Sequence, residues 1–335
     1  MDSRRTFIKT LGKSAALTAF AASTPGVFSS PLFAKPVKEL KPLRIGIIGA
    51  ENSHTAGFGR MFNVDKKFPE AEVKYVWGET EDFARKAAEE GKIPNIVKDP
   101  LDMLGEIDAL IVDHRHAKYH LEAATPFILE GIPAFIDKPF CYRASEGEAF
   151  LELARQHGTP VTSYSTIAHS AATFDMKEQL ADMGKINQVI RTGPVEMDSP
   201  YGGIFFYGVH IVQPLMYIFG EDIDRVRVSR NGQTGNASLV YKNGLLVTLI
   251  LKNISHGWET FVETEDGLVE LKSRVDESDP AICYTDMVDM FRTGKEPRSH
   301  ASILNCVRVL EALEKSVESQ DWEKTGIPEI QTQAI

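Results

Sequence analysis

Short apolar runs alternate with amphipathic stretches through the first half of the chain. Five runs have strand length: Arg44–Gly49, Ala71–Trp77, Ile107–Asp113, Ile132–Asp137 and Pro160–Ser165. Between them lie four stretches with helical periodicity, at 55–65, 80–91, 118–131 and 145–158. Thr80 is placed to cap the second helix, Ser145 to cap the fourth, and Gly91, Gly131 and Gly158 to end the last three. Strands that alternate with helices predict an α/β fold with a doubly wound parallel sheet.

The second half has a different pattern. From about Gln188, longer strand-like segments are separated by the turn pairs Asn231–Gly232, Asn243–Gly244 and Asp266–Gly267. These pairs are strong hairpin signals, so we expect an open and largely antiparallel sheet. A final helix is predicted over 302–319, because apolar residues recur there at helical spacing.

The first residues have the pattern of an export signal. Arg4 and Arg5 are paired, Phe7 and Lys9 follow, and an alanine-rich stretch runs over 15–22. This order is typical of a twin-arginine signal, which we assign to residues 1–34, and the apolar stretch is too short to span a membrane. A disordered basic N-terminus is the alternative. The signal predicts a periplasmic or other extracytoplasmic location, and it favours a protein that binds its cofactor before export.

Composition narrows the choice of partners. The chain has 335 residues, 43% apolar and 25% charged, with a formal net charge of −10. This charge argues against a nucleic-acid partner. The three cysteines are scattered and show neither a disulfide framework nor a zinc-binding spacing.

The loop after the first strand departs from a dinucleotide-binding loop. Such a loop has the spacing Gly-x-Gly-x-x-Gly, in which the glycines allow close approach of the pyrophosphate and close helix packing. Gly49 fits the first position, but Glu51 and His54 occupy the other two. Asn52 and Ser53 begin the next helix, whose N–H groups can still attract a phosphate.

Three segments resemble the Gfo/Idh/MocA family, the relatives of glucose–fructose oxidoreductase and inositol dehydrogenase. "GIPAFIDKPF" is similar to the family's strand that ends in Glu-Lys-Pro, with Asp137 for the Glu. "GGIFFYGVHIVQPLMYIFG" is similar to its Gly-Gly…Asp-x-Gly-x-His-x-x-Asp segment, and "MVDMFRTGKEPRSHASILNCVRVLEALEKSVES" to its C-terminal stretch. The resemblance covers about 43–322. It implies a Rossmann domain, placed at 40–162, and a C-terminal substrate and oligomerisation domain with an open sheet, placed at 163–335.

The resemblance implies a catalytic pair. In the family the Lys and His orient a sugar hydroxyl and move its proton while a hydride passes to or from nicotinamide, which here assigns Lys138 and His210. An ammonium stabilises a developing alkoxide, and an imidazole suits acid–base chemistry near neutral pH. Taken alone, Lys138 can equally be a surface lysine and His210 a core histidine.

Two family aspartates are missing from this segment. Their positions hold Phe206 and Gln213, so the acid–base relay is altered or another acid, such as Glu196 or Asp198, replaces it. We assign Gln213 to the substrate site with Tyr201 and Tyr207, whose rings can stack on a sugar. Core packing is the alternative role for both tyrosines.

The expected cofactor is NAD or NADP, held tightly enough to survive export. The resemblance assigns Asp137 and Lys138 to its site together with Gly49, Asn52, Ser53 and His120. Glu79 takes the place of the acid that holds the adenosine ribose, shifted by one residue. Arg115 offers a phosphate contact that the loop has lost.

Histidines in the rebuilt loops raise a second possibility. His54 follows the first strand, and His114 and His116 follow the run that ends at Asp113. Parallel strands gather their carboxyl ends at one crevice, so a metal site of these groups is conceivable. Polar loop residues around a substrate or cofactor are the favoured interpretation, and we expect no metal.

These observations give a leading function and an alternative. The leading function is an exported NAD(P)-dependent oxidoreductase acting on a sugar or polyol, in which Lys138 and His210 assist hydride transfer. The alternative is a member without net redox turnover, either an NAD-dependent glycosidase or lyase that recycles its cofactor, or a carbohydrate-binding protein. We expect a small carbohydrate partner and, from the resemblance, association into homo-oligomers.

Overall fold

The computed structural model describes residues 41–275 and 279–329. The predicted export signal, residues 1–34, lies outside the described residues and stays a prediction. Within the described residues, no helix is both long and apolar enough to cross a membrane.

The first sheet is parallel throughout. Its strands, in chain order, are β1 (Leu43–Ile48), β2 (Ala71–Trp77), β3 (Asn95–Ile96), β4 (Ala109–Val112), β5 (Ala134–Ile136) and β6 (Val161–Thr162). They lie side by side in the order β3-β2-β1-β4-β5-β6. The connecting helices are α1 (Ser53–Gly59), α2 (Glu81–Gly91), α3 (His120–Leu129) and α4 (Ala144–His157). This arrangement confirms the predicted doubly wound sheet.

Local signals explain most of the element boundaries. Thr80 Oγ1 accepts a hydrogen bond of 3.1 Å from the Phe83 N–H at the start of α2, as its capping role requires. Gly158 has a φ of +64° and ends α4, a left-handed conformation that glycine adopts without strain. The predicted cap at Ser145 is wrong, because α4 begins at Ala144 and the extended residue before it is Arg143. The Arg143 guanidinium is held by Glu314, 2.9 Å away, which fixes this helix start without a side-chain cap.

The last predicted strand of this sheet is shorter than expected. Only Val161 and Thr162 pair with β5, because the chain then leaves the sheet. The N–H of Ser165 donates to Gln213 Oε1 at 2.6 Å instead of to a neighbouring strand. This departure brings Ser165 to the second half of the molecule.

The second sheet is mixed and mostly antiparallel. Its strands are β7 (Gln188–Pro194), β8 (Ile223–Asn231), β9 (Thr234–Tyr241), β10 (Leu246–Lys252), β11 (Thr260–Thr264), β12 (Gly267–Glu270) and β13 (Glu323–Lys324), in the order β12-β11-β7-β10-β9-β8-β13. Among the described strands of this second sheet, β7 and β10 form the one parallel pair. The three hairpin turns form where predicted, with positive φ at Gly232, Gly244 and Gly267.

Four α-helices are described in the second half: α5 (Ala171–Gln179), α6 (Phe205–Phe219), α7 (Thr285–Thr293) and α8 (His300–Ser319). Helix α8 confirms the predicted final helix and starts two residues earlier, after Ser299, whose side chain accepts from the Ser302 N–H. One apolar core runs from Val112 and Ile136 of the first sheet to Val212 of α6 and Leu310 of α8. The predicted domain boundary at 162 coincides with the end of β6 and otherwise stays a prediction.

Candidate active site

The site forms where β1, β4 and β5 end side by side. Gly49 follows β1 with a φ of +108°, and a Cβ added there would lie 2.6 Å from the main-chain carbon of Asp113. Only glycine therefore allows the loop after β1 to lie against the end of β4. The contact brings the start of α1 over the two aspartates that follow β4 and β5.

Two buried carboxylates, Asp113 and Asp137, share one set of partners. The Asn52 Nδ2 group donates to Asp113 Oδ1 at 2.9 Å and to Asp137 Oδ2 at 3.3 Å. Thr55 Oγ1 lies 2.6 Å from Asp113 Oδ2. His54 Nδ1 lies 3.2 Å and Lys138 Nζ 3.4 Å from Asp137 Oδ2. His54 Nδ1 is 3.9 Å from Asp113 Oδ1, so it lies closer to Asp137, where Lys138 also lies.

This asymmetry separates the two pKa values. Burial and the negative charge of Asp137 raise the pKa of Asp113 well above its usual value. Burial acts in the same direction on Asp137, but Lys138 and His54 outweigh it and lower the pKa of that carboxyl. A proton on this pair therefore favours Asp113, and Asp137 is the ionised partner of Lys138.

His210 faces this group from α6. Its Nδ1 lies 2.7 Å from Ser165 Oγ, and the Ser165 main chain is fixed by Gln213, one turn further along the helix. Burial, followed by the charge of Lys138, lowers the pKa of His210 well below its usual value, although part of the ring remains exposed. His210 is therefore a neutral imidazole at physiological pH. Gln213, predicted to bind substrate, is 4% exposed and its observed partner is Ser165.

Tyr201 connects the second half of the molecule to the loop after β1. Its hydroxyl donates to Glu51 Oε1 at 2.5 Å, and the Arg115 guanidinium lies over its ring, 4.3 Å from the centroid. Phe206, at the missing aspartate position, packs between Tyr201 and Tyr207, and the Tyr207 ring lies 5.9 Å from that of His210. The lost acid is thus replaced by an aromatic wall beside His210.

Glu79 lies behind the same loop. Its Oε2 accepts hydrogen bonds from the N–H groups of Ala50 and Glu51, at 2.8 and 2.9 Å. Its Oε1 is buried and has no hydrogen-bond partner among the described residues. A buried carboxylate oxygen without a donor is costly, so this atom is available to a ligand hydroxyl.

The histidines that follow β4 have structural contacts. His120 is fully buried, with Nε2 2.8 Å from the His114 carbonyl and Nδ1 3.0 Å from that of Pro139, so it braces the main chain on both sides of the site. The His114 ring packs against Trp77 and Tyr119. The His116 ring packs against Tyr142.

His54 lies among carboxylates and not beside His114 and His116, with which the sequence analysis considered it. His54 is grouped with Asp113 and Asp137, whose ligand-type atoms all lie within 4.8 Å of one another, and not with the two loop histidines. Asp198, considered as a substitute acid, is paired with Arg230 at 2.7 Å. The acid that contacts the catalytic pair is therefore Asp137, at the end of β5.

Sequence reasoning missed Thr55 and Ser165. Thr55 is one residue after His54 and bonds Asp113, but only the packing of α1 against β4 shows it. The sequence pattern predicts Ser165 at the end of a strand, and nothing in it indicates that the chain turns there towards α6. Each is a small hydroxyl residue whose partner lies 58 or 45 positions away in the chain.

The same fold is found among known proteins. Residues 43–165 match the model of the Gfo/Idh/MocA oxidoreductase family, described as an NAD-binding Rossmann fold. This part of the chain is thus similar to the NAD-binding part of that family. The match covers all six strands of the first sheet and ends at Ser165. It supports the resemblance seen in the sequence and the expected class of cofactor.

Solved structures extend the similarity beyond these residues to the second sheet. Myo-inositol dehydrogenase from Lactobacillus casei, in complex with NAD(H) and myo-inositol, is 14% identical with a TM-score of 0.71 over 87% of this chain and 99% of that chain. Scyllo-inositol dehydrogenase from the same organism, with NAD(H) and scyllo-inositol, is 16% identical with a TM-score of 0.69 over 85% and 99%. Myo-inositol 2-dehydrogenase from Lactobacillus plantarum is 17% identical with a TM-score of 0.71 over 85% and 99%. At these identities the likeness shows a shared fold. No curated protein sequence matches the chain.

The residues around the loop fit a dinucleotide at two points. The cradle at Gly49 has no space for a Cβ, and the buried Oε1 of Glu79 has no partner among the described residues, which suits an acceptor for a ribose hydroxyl. Glu51 is the one unfavourable group, because it places a carboxylate at the second glycine position. The Tyr201 hydroxyl and the nearby Arg115 offset part of that charge.

Proposed function

We propose that the protein is an NAD(P)-dependent oxidoreductase that acts on a hydroxyl group of a sugar or polyol. The observation that carries this proposal is the pairing of Lys138 with an ionised Asp137, opposite the neutral imidazole of His210. Lys138 and Asp137 follow β5 and His210 lies on α6, beside a sheet that matches the model of an NAD-binding oxidoreductase family. The inositol dehydrogenases of the same fold favour a polyol substrate.

The proposed base is Nε2 of His210, which requires the ring proton to be on Nδ1. Ser165 Oγ accepts from the Ile167 N–H at 3.2 Å and can accept a second hydrogen bond from His210 Nδ1–H. This tautomer leaves Nε2 with a lone pair. Nε2 is then the base that removes the hydroxyl proton of the substrate.

Lys138 supplies the positive charge of the reaction. Its ammonium, held at Asp137, stabilises negative charge as the hydroxyl is deprotonated. The chemistry that a bound NAD(P) would supply is acceptance of the hydride from the carbon that bears this hydroxyl. Gly49, Asn52, Ser53, Glu79 and Arg115 would hold the dinucleotide.

The low pKa of His210 predicts the pH dependence of catalysis. The base must be unprotonated, and a pKa held well below the ordinary 6.5 keeps it so as the pH falls through that value. We expect kcat/KM to stay level as the pH falls through the ordinary histidine pKa of 6.5, and a ¹⁵N-detected titration to place the His210 pKa below that ordinary value. An acid limb centred near the ordinary histidine pKa that belongs to His210 would contradict this assignment.

Glu51 should weaken dinucleotide binding. In the Glu51→Gly variant the loop recovers its second glycine and loses a carboxylate near the pyrophosphate, so we expect the NAD Kd to fall about tenfold. Isothermal titration calorimetry measures this directly. Tyr201→Phe is the matched control, since it removes the hydrogen bond to Glu51 but keeps the charge and should not tighten binding. Equal or weaker binding to Glu51→Gly would show that Glu51 does not face the cofactor.

The test of the proposed function is turnover. Purified protein is mixed with NAD or NADP and a panel of hexoses, inositols and sugar acids, and the reduced cofactor is followed by its absorbance. We expect steady accumulation with at least one substrate and its loss in a His210→Asn variant. No accumulation with any member of the panel, despite bound dinucleotide, would favour the alternative of a protein without net redox turnover.

One observation supports that alternative. The hydrogen bond from Tyr201 to Glu51 joins the second half of the molecule to the loop after β1. This link suits a cofactor that is retained and recycled in place. Export through the twin-arginine route would place the protein where free NAD is scarce, and we propose this location from the signal pattern alone. We also propose homo-oligomers formed through the second sheet, where Leu246 and Ile250 are exposed.

A further inference from the structure

Arg191 is a buried arginine without a counter-charge. It lies on β7, is 2% exposed and donates through Nη1 to Thr260 Oγ1 at 2.7 Å. Its Nε has no partner, and no carboxylate among residues 41–275 and 279–329 forms an ion pair with it. Burial lowers its pKa to about 10, so the guanidinium stays charged at neutral pH.

A second buried arginine, Arg298, has the carboxylate neighbour that Arg191 lacks among the described residues. Arg298 is similarly enclosed, but the Glu221 carboxylate lies 3.5 Å from it and the Tyr217 ring lies 3.7 Å from its Cζ atom. An isolated charge in a protein interior is strongly destabilising unless a partner compensates it. The observed hydrogen-bond partner of Arg191 is one hydroxyl, that of Thr260, so most N–H donors of its guanidinium are left for another group.

Arg191 lines a cavity of about 550 Å³ between α5 and the sheet. Two glutamates also line it, but each is already paired: Glu259 with Lys252 at 2.5 Å, and Glu270 with Lys272 at 2.9 Å. The uncompensated charge in this cavity is therefore that of Arg191. Hydroxyls of Thr166, Ser170 and Thr173 complete a polar lining of the kind that sugars bind.

Trp258 connects this cavity to the catalytic residues. Its indole lines the cavity, and its ring centroid lies 6.0 Å from that of His210. A Cβ on Gly193 would lie 2.4 Å from the indole, so the absence of a side chain there makes room for Trp258. The indole thus contacts both the cavity and the His210 ring.

We propose that Arg191 binds the carboxylate of the substrate, and that the substrate is a sugar acid such as a uronate. This inference rests on the proposed function, because it identifies the substrate class of the same site. A guanidinium binds a carboxylate through two parallel hydrogen bonds, and the faces of an indole suit the C–H groups of a sugar ring. The anionic group lies at the far end of the cavity, and the hydroxyl that reacts lies at His210.

The test compares glucuronate with glucose, which differ only at C6. Binding is measured by calorimetry on the purified protein, in chloride buffer, for the unaltered chain, Arg191→Met and the exposed-surface control Arg227→Met. We expect glucuronate to bind at least about 30-fold more tightly than glucose. Arg191→Met should lose that preference and keep its affinity for glucose, and the control should keep both. Arg191→Lys, which retains the charge, should keep part of the preference.

Three results would overturn the inference. The first is equal binding of glucose and glucuronate to the unaltered chain, a comparison that needs no variant to fold. The second is an unchanged preference in a folded Arg191→Met. The third is inorganic phosphate binding as tightly as glucuronate, which would show a site for small anions. Because binding is measured without turnover, these results can be interpreted even if the redox proposal fails. Turnover of neutral polyols with no uronate preference would overturn this inference alone.

Discussion

Replacing Lys138 by methionine should lower kcat/KM by about 10³-fold while the protein keeps its fold and its NAD affinity within a few-fold. Among the described residues, Lys138 is the only lysine or arginine within 4 Å of the Asp137 carboxylate, and His54 is the other partner. Its loss removes the charge that stabilises the developing alkoxide, an effect worth about 3–4 kcal/mol at such sites. Steady-state kinetics at saturating NAD measures the loss.

The result must separate catalysis from binding. Lys185→Met is the matched control, since Lys185 is exposed and far along the chain from the site, and its kcat/KM should be unchanged. Activity in Lys138→Met within about tenfold of the unaltered protein would remove Lys138 from the reaction. A lysine that merely holds Asp137 in place would change the melting temperature and the NAD Kd before it changed kcat.

The second large effect is on stability. Gly49→Ala should lower the free energy of unfolding by about 3–4 kcal/mol, because the new Cβ meets main-chain atoms that no rotamer can move away and φ is in the left-handed region. Displacement of the loop should also abolish dinucleotide binding. Chemical denaturation of the variant and the unaltered chain gives the difference.

Helix α1 contains its own control. A Cβ added at Gly57 would meet no atom of the described residues within 4 Å, and this glycine lies in regular helix. Gly57→Ala should therefore raise the free energy of unfolding by about 0.5–1 kcal/mol. If Gly49→Ala were as stable as Gly57→Ala, the close approach of the loop to Asp113 would not exist. The active site would then lose its geometric basis.

The fold was predictable because its signals are local. Alternation of apolar runs and helices indicated the parallel sheet, and three turn pairs located the hairpins of the second sheet. The start of α4 was predicted wrongly because its determinant is the contact of Arg143 with Glu314, which lies far along the chain. No local propensity reports such a partner.

The site was predictable only in part, for the same reason. Lys138 and His210 were found through a resemblance of motifs, and the structure places them at one crevice. The hydrogen bond from Tyr201 to Glu51 joins residues 150 positions apart. His54 contacts Asp137, although the sequence analysis considered it together with His114 and His116. Sequence patterns place residues at the end of a strand, but packing determines where their side chains point. Arg191 was missed because an arginine within a strand usually indicates a surface position.

The most direct test of the central claim is the dinucleotide content of the purified protein. The protein is denatured with nothing added beforehand, and the supernatant is assayed for NAD(H) and NADP(H) by mass spectrometry, followed by calorimetric titration of any protein that is empty. We predict near-stoichiometric dinucleotide, or binding in the micromolar range that is lost in Gly49→Ala. Neither bound dinucleotide nor measurable binding would contradict the account, and would leave a carbohydrate-binding protein with a Rossmann fold.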